Sequence, residues 1–437
     1  VKVYLDFLGC RLNEAELQKW AMDFAAHGYE ITSSAGEADI CVLNTCAVTS
    51  QASRKSRQRV RHLHRIFPQC DIIVAGCDAT FEKDRIAAQP GVSMVLDNSE
   101  KEELVERVVE RWAPPRSEVR MDALEHPFES GRTRAFLKVQ DGCNNRCTYC
   151  LVRVLRGEER SVPLGQVLQD VTRLVAMGYR EIVLTGVHLA SYGRDVGSSL
   201  RELVSTILER TEIPRLRLSS LEPWDIEPDF FELWNDERLG QHLHLPLQSG
   251  SDSVLKRMGR KITAEQYERL VDAAREAIPD LTLTTDIMVG FPGETDEEFE
   301  ESLRFIEKMR FAHVHLFPFS PRPGTPAARM KGRVDGATAE RRLEAVREVA
   351  AASKKEHLRK FLGQVRPVLW ESWRPMRGMR KWSGLTDNYL RVTVAVDADV
   401  DLRNEILPTR LVSLEGEHLE GEIVLPGIEA TQSRKEM

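Results

Sequence analysis

Along residues 1–112, short apolar runs alternate with amphipathic stretches. "VKVYLDFL", "DICVLNTC", "DIIVAGC" and "VSMVLD" read as strands, and 14–27, 49–66, 80–89 and 99–112 as the helices after them. This alternation predicts a parallel βα sheet covered on both faces. A Pro-containing, charge-mixed stretch at 113–132 predicts a linker. The pattern then resumes with a longer period. "AFLKVQDG", "EIVLTGVHL", "RLRLSSLEP", "HLHLPLQSGS", "LTLTTDIMVGFPG" and "HVHLFPFSP" read as strands, separated by helical patterns such as 166–177, 263–277 and 295–309. Six such units ending near 330 predict a partial (β/α)6 barrel rather than a closed eightfold one. A long polar helical pattern (338–361) leads to the short alternating runs "QVRPVLWES", "YLRVTVAV" and "TRLVSLEGEHLEGEIV". These predict a small all-β barrel over 362–430. The expected fold class is α/β, with units at 1–112, 133–361 and 362–430.

Composition narrows the setting. Of 437 residues, 42% are hydrophobic and 30% charged, and no apolar run approaches the ~20 residues of a bilayer span. The first residues read as a strand rather than a charged leader with a cleavable apolar core. A cytoplasmic location is therefore expected, where clustered cysteines hold metal more readily than they pair. The net charge of −7 means that any nucleic-acid role must rest on local basic patches.

The chemistry concentrates in "QDGCNNRCTYCLVR" (140–153), where Cys143, Cys147 and Cys150 fall within eight positions. They follow the first strand of the barrel segment, at the end where α/β barrels keep their active sites. Structural zinc takes four ligands, and a fully ligated four-iron cluster takes four thiolates. Three thiolates in one loop hold three irons of a cubane and leave the fourth open to a small molecule. The same strand ends carry Gly186, Ser219, Ser220, Glu222, Gln248 and Gly290. The glycines permit close backbone approach, and the polar groups could hold a ribose and an amino-acid head, although each also suits an ordinary turn.

A second set is more dispersed. Cys10, Cys46 and Cys77 each end one of the first three predicted strands of the N-terminal sheet, so a parallel sheet brings them to one edge. Cys41 and Cys70 lie elsewhere and read as small buried hydrophobes. A second cubane with another open iron is expected on the convergent three.

Two basic patches stand out against the acidic average. "SRKSRQRVRHLHR" (53–65) has six Lys or Arg residues and no acid. Arg54, Arg57, Arg61 and Arg65 form one stripe if the segment is helical. "RPMRGMRKW" (374–382) interleaves Arg377, Arg380 and Lys381 with Trp382, near Trp370 and Trp373. Cations with aromatic faces suit single-stranded RNA, whereas a solvated helix face and a basic hairpin are the plainer readings.

The spacing C-x3-C-x2-C, with Tyr149 before the last cysteine, resembles the radical S-adenosylmethionine enzymes. The two cysteine sets together, followed by a small β-barrel, resemble the methylthiotransferases over nearly the whole chain. "GCRLNEAE", "NTCAVTSQASRKSRQ", "TGVHLASYGRD" and "FPFSPRPGTPAARM" look most like the branch acting on threonylcarbamoyladenosine in tRNA. The branches acting on isopentenyladenosine and on a ribosomal-protein aspartate usually differ at Arg11-Leu12-Asn13. This chain departs from the family's usual proline at Arg153 and its serine-arginine pair at Ser161-Val162.

The resemblance implies a radical methylthiotransferase with two [4Fe-4S] clusters, one on Cys143/Cys147/Cys150 and an auxiliary one on Cys10/Cys46/Cys77. It uses S-adenosylmethionine as radical source and methyl donor, with Tyr149, Gly186, Ser220, Glu222, Gln248 and Gly290 near that cofactor. It implies replacement of the C2 hydrogen of the modified adenine, next to the anticodon, by a methylthio group. The partners implied are the tRNA anticodon stem-loop, an electron donor of flavodoxin or ferredoxin type, and no membrane. A C-terminal TRAM domain is implied as RNA binder. A non-catalytic iron–sulfur RNA-binding protein is the alternative of another class, and it predicts four-ligand sites.

Overall fold

The structure, a computed structural model, describes residues 1–113 and 133–424. The expected linker therefore lies, beyond its first residue, outside the described residues, as does the chain from 425 onward. The N-terminal sheet consists of β1 (Lys2–Phe7), β2 (Glu30–Thr32), β3 (Ile40–Thr45), β4 (Asp71–Gly76) and β5 (Val92–Val95), all parallel in the order β2-β1-β3-β4-β5. Central β3 is buried at every position, which is why its sequence is a continuous apolar run rather than an alternation. Helix Arg11–Ala26 packs Leu17, Trp20 and Phe24 on one face together with Val105 and Val108. Helix Ser50–Ile66 packs Val60 and Leu63 on the other. The edge strand β2 was not anticipated, because three residues carry too short a pattern.

The second unit contains β6 (Arg134–Lys138), β7 (Gln140–Asp141), β8 (Arg160–Ser161), β9 (Glu181–Thr185), β10 (Arg215–Leu218), β11 (His242–His244), β12 (Thr282–Val289) and β13 (His313–Pro318). Six of these form an open half-barrel of two parallel sheets, β10-β9-β6 and β11-β12-β13. Single bridges at Leu216–Leu239 and Ser220–His244 join them. Short β7 and β8 pair antiparallel and fasten the base of the cysteine loop. Capping boxes at Thr263/Gln266 and Thr295/Glu298 start two of the outer helices. The β6 edge is closed by the first helix. The Gln18 side-chain amide donates to the Arg134 carbonyl (3.3 Å) and accepts from the Phe136 N–H (2.7 Å), taking the place of a neighbouring strand. Ala15, Phe136 and Val183 pack beneath it.

The C-terminal unit is a closed barrel of β14 (Val365–Met376), β15 (Met379–Thr386), β16 (Arg391–Asp397), β17 (Ile406–Glu415) and β18 (His418–Ile423), ordered β14-β15-β16-β18-β17. It docks at the amino ends of the half-barrel strands, opposite the cysteine loop. There Arg215 donates to the carbonyls of Leu385 and Pro367, and Arg217 to those of Thr386 and Asp387. Buried Glu181 pairs with both arginines. Tyr389, held at φ 71°, stacks on His242 with ring centroids 4.3 Å apart. These bonds join the small barrel to the core and fix where its outer face points.

Candidate active site

Cys143, Cys147 and Cys150 sit on a loop tied down at both ends. The Cys143 N–H donates to the Gly157 carbonyl (3.1 Å), and the Cys150 N–H donates to that of Cys147 (3.1 Å). Gly142, at φ +71°, passes so close to the Glu158 carbonyl that a Cβ would overlap it. The sulfurs are arranged as ligands. The N–H groups of Asn145 and Val152 point at Cys143 Sγ and Cys150 Sγ, each at 3.4 Å. Arg260 hydrogen-bonds Cys147, and its guanidinium lies 4.2 Å from the Trp224 ring centre. Burial raises the Cys147 and Cys150 thiols, Cys150 to about 12, and neighbouring thiols of the trio add to this. A metal-free pocket of this kind keeps its thiols protonated, and bound iron would release those protons.

His188 stands 3.9 Å from Cys143 Sγ, and the ligand atoms of Cys143, Glu159 and His188 lie within 4.8 Å of one another. Its Nδ1 faces Glu159 at 2.9 Å and its Nε2 faces Asp225 at 2.6 Å. Burial opposes the imidazolium, but the hydrogen bonds to Asp225 and Cys143 outweigh it and raise His188 to about 10. As an imidazolium it puts positive charge beside the sulfurs.

Beside this loop lie three buried polar atoms without hydrogen-bond partners: Ser219 Oγ, Glu222 Oε2 and Gln248 Oε1. They come from the ends of β10 and β11, and burial raises the Glu222 carboxyl. Gln248 is held at φ 77° by bonds between its backbone and Asp286 and Met288. Glu222 Oε2 has only the His188 ring as a cation, at 3.8 Å, and this set of polar atoms fits a cofactor that brings N–H and O–H groups, such as an amino acid joined to a nucleoside. Ser220 bridges to His244 through its backbone. Tyr149 is a packing residue, set against Val254, Met258, Met288 and Phe291. The two glycines answer to the fold. A Cβ at Gly186 would meet Gln140 at 2.9 Å, and Gly290 is a φ +73° turn whose N–H donates to Glu294 (2.7 Å).

Cys10, Cys46 and Cys77 follow β1, β3 and β4, which are adjacent in the sheet, and they converge. The charges of Cys10 and Cys77 both act on Cys46, whose thiol burial raises to about 12. Gly9 makes the approach feasible. At φ +107°, a Cβ there would lie 2.6 Å from Cys46 Cβ and 2.8 Å from its sulfur. Asn98 Nδ2 lies 3.7 Å from Cys77 Sγ. Cys41 and Cys70 stand apart and face each other at 2.7 Å. The eight cysteines thus divide into three, three and a pair, and each trio offers three free thiols as ligands at one place in the fold.

One residue connects the two sites. Arg156 ends the short helix Val152–Arg156 that leaves the Cys143–Cys150 loop, and its buried guanidinium crosses into the N-terminal unit. It donates to Glu16 (2.9 Å), Asp141 (3.1 Å) and Asn13 Oδ1 (2.8 Å). Burial works against its charge, and Glu16, Cys77, Asp141 and Cys10 outweigh it. Lys101 and Lys138 complete the cluster: Lys101 pairs with Glu16 and stands 3.3 Å from Asp141, while Lys138 lies 3.7 Å from Glu16. Sequence reading missed this network, whose members lie up to 143 positions apart.

The basic patches are only partly as anticipated. Arg54, Arg61 and Arg65 are exposed on helix Ser50–Ile66. Arg57 turns inward, 3.4 Å from Glu82 and 3.6 Å from Asp78. On the C-terminal barrel, Arg377 is exposed in the β14–β15 turn, and Arg380 lies over the Trp373 ring at 4.5 Å. Lys381 is paired with Glu415 (3.0 Å) and Glu420 (3.4 Å). Trp370 and Trp382 are buried in the barrel core and cannot stack on a base; Trp373, 40% exposed, is the one of the three that can.

Residues 137–306 match the Radical SAM superfamily, and residues 2–97 match "Uncharacterized protein family UPF0004". The chain is 38% identical over 397 residues to the Thermotoga maritima protein named threonylcarbamoyladenosine tRNA methylthiotransferase MtaB, spanning 89% of this chain and 90% of that one. It is 35% identical to the Bacillus subtilis protein of the same name, over 95% of each. It is 33% identical to the Acetivibrio thermocellus tRNA-2-methylthio-N(6)-dimethylallyladenosine synthase, over 97% of this chain and 91% of that one. Among solved structures, the radical S-adenosylmethionine methyltransferase TsrM from Kitasatospora setae superposes with a TM-score of 0.54 at 15% identity, covering 75% of this chain and 76% of that one. That likeness concerns the fold. No helix among the described residues is long and apolar enough to cross a membrane.

Proposed function

Because the chain belongs to the radical S-adenosylmethionine methylthiotransferases, we propose that it installs a methylthio group at C2 of N6-threonylcarbamoyladenosine, next to the anticodon of tRNA. The observation that carries this reading is the pair of three-cysteine sites joined through Arg156. Family membership implies a [4Fe-4S] cluster with S-adenosylmethionine. We assign that cluster to Cys143, Cys147 and Cys150, and a second, sulfur-donating cluster to Cys10, Cys46 and Cys77. When bound, these groups supply the electron that splits S-adenosylmethionine and the sulfur that reaches the base, chemistry no side chain can supply at an unactivated C–H.

The protein's own contribution is placement and electrostatics. Ser219, Glu222 and Gln248 offer acceptors to the amino-acid and ribose groups of the cofactor. His188 and Arg260 stand beside Cys143 and Cys147, where they offset part of the negative charge of a bound cluster. Arg156 stands in the same relation to the Cys10/Cys46/Cys77 site. The units 1–112, 133–361 and 362–430 then divide the work as sulfur donor, radical core and RNA-binding barrel. Arg54, Arg61 and Arg65 with Arg377 and Arg380 contact the stem-loop phosphates, and Trp373 stacks on a base. A cytoplasmic setting and an external one-electron donor of flavodoxin or ferredoxin type complete the scheme.

The relative named for dimethylallyladenosine keeps that base as a second reading. Both are tested by incubating the reconstituted protein with tRNA carrying one or the other base and measuring nucleosides by mass spectrometry. Methylthiolation of the threonylcarbamoyl base alone is expected. Conversion of the dimethylallyl base alone would overturn the substrate assignment.

A further inference from the structure

A line of polar side chains that the scheme above leaves unused runs between the two cysteine sites. Asp286 and His315 are register partners on β12 and β13, and His244 stands on neighbouring β11. Nitrogen and oxygen atoms of the three lie within 4.8 Å of one another. His244 Nε2 is 3.3 Å from Asp286 Oδ1, its Nδ1 is 2.9 Å from Thr284 Oγ1, and its ring centre is 5.4 Å from that of His315. At one end, the Asp286 charge reaches Tyr149 in the radical cysteine loop. At the other end, the Arg11 charge reaches His315.

Arg11 follows Cys10 directly and is half exposed. It donates to Glu14 (2.8 Å) and lies 5.0 Å from the Phe136 ring centre. His315 is exposed, on the open β13 edge of the half-barrel, opposite the edge that the first helix closes. The line therefore borders an accessible opening and joins the surroundings of one trio to those of the other.

Two imidazoles and a carboxylate could also suit a divalent cation. Arg11, paired with Glu14 and set over the Phe136 ring, adds a fixed positive charge that acts on His315 and disfavours a further cation there. The two candidate bases differ in this respect. A threonylcarbamoyl substituent presents a carboxylate, a carbonyl, N–H groups and a hydroxyl, whereas a dimethylallyl group presents hydrocarbon. Polar walls pressed against hydrocarbon would lose water with nothing in return, which is how hydrogen-bonding sites reject apolar analogues.

We propose that Asp286, His244, His315 and Arg11 form the subsite for the threonylcarbamoyl substituent, with Arg11 and His315 on its carboxylate and Asp286 accepting from an N–H. The assignment rests on the substrate reading above and explains how that base would be selected.

The test uses the reconstituted full chain and two anticodon stem-loop RNAs, one with the natural threonyl carboxylate and one with the neutral threonine amide. Wild type should bind the acid about tenfold more tightly than the amide, the worth of one charge-assisted hydrogen bond. In Arg11→Met combined with His315→Phe, that preference should fall below about twofold, with each single variant between. Thermal melting and iron content confirm that the variants are folded and loaded. Equal binding of acid and amide by wild type, or a preference that survives in the double variant, overturns the subsite. Failure of wild type to methylthiolate the threonylcarbamoyl base overturns the substrate reading itself, so the two failures are told apart.

Discussion

Replacing Arg156 with methionine removes a side chain that ties the helix after the Cys143–Cys150 loop to the N-terminal unit, while keeping the length and apolar stem of the residue. Its guanidinium makes three hydrogen bonds, to Glu16, Asp141 and Asn13. Breaking a buried ion pair by removing one partner costs about 3–5 kcal/mol. Here Lys101 and Lys138 still face both carboxylates, so neither is left without a cation. That places the expected loss near the lower end, about 3 kcal/mol.

Burial opposes ionisation of Glu16 and Asp141, but Arg156, Lys101 and Lys138 outweigh it and hold both carboxyls low. Their contribution is complete above the unfolded carboxylate value of about 4 and is lost only as pH falls through the folded values. Urea unfolding of the metal-free chain at neutral pH therefore reads the network intact. Arg156 also interacts electrostatically with Cys10 and Cys77. Arg156→Met should accordingly also retain less iron, with the deficit on the Cys10/Cys46/Cys77 site, and Arg156→Lys should recover part of both losses. A stability change below about 1 kcal/mol together with unchanged iron content would refute the reasoning.

Further outcomes follow from single features. Gly9→Ala forces a Cβ to within 2.6 Å of Cys46 and should abolish loading of the N-terminal site, while S-adenosylmethionine cleavage, read as 5′-deoxyadenosine, persists. Burial lowers His357 to about 4, so it stabilises the fold fully above about pH 6.5 and loses that contribution as pH falls towards 4. It accounts for up to about 3 kcal/mol, and His357→Gln should flatten the acid limb of the stability profile. Removing any one of Arg54, Arg61 or Arg65 should reduce the slope of log Kd against log salt for tRNA by about 0.7–0.9, whereas removing ion-paired Arg57 should leave it nearly unchanged.

Much of this arrangement is legible in the chain itself. Strand periodicity locates Cys10, Cys46 and Cys77 at strand ends, and a parallel sheet leaves such residues only one edge to share. The crowding of Cys143, Cys147 and Cys150 needs no fold to be recognised. What escapes is whatever depends on facing across elements. The alternation in "RPMRGMRKW" belongs to a hairpin whose inward positions bury Trp382, so an interleaved pattern that suggested RNA stacking also serves a barrel core. Arg57 fits the helical stripe as well as its neighbours do, yet Asp78 and Glu82, from the segment after β4, take it. Glu16, Lys101, Asp141 and Arg156 carry no local signal, because long-range neutralisation is invisible until the chain folds. The runs "HLHLPLQSGS" and "HVHLFPFSP" are legible as strands, but only the register of β12 against β13 shows that His315 meets Asp286.

The most direct test of two separate three-cysteine sites is one product analysis on three reconstituted proteins, each given S-adenosylmethionine, a reductant and tRNA bearing the threonylcarbamoyl base. Wild type should yield both 5′-deoxyadenosine and the methylthiolated nucleoside, Cys46→Ala only 5′-deoxyadenosine, and Cys147→Ala neither. 5′-Deoxyadenosine from Cys147→Ala, or methylthiolated nucleoside from Cys46→Ala, would contradict that division of labour.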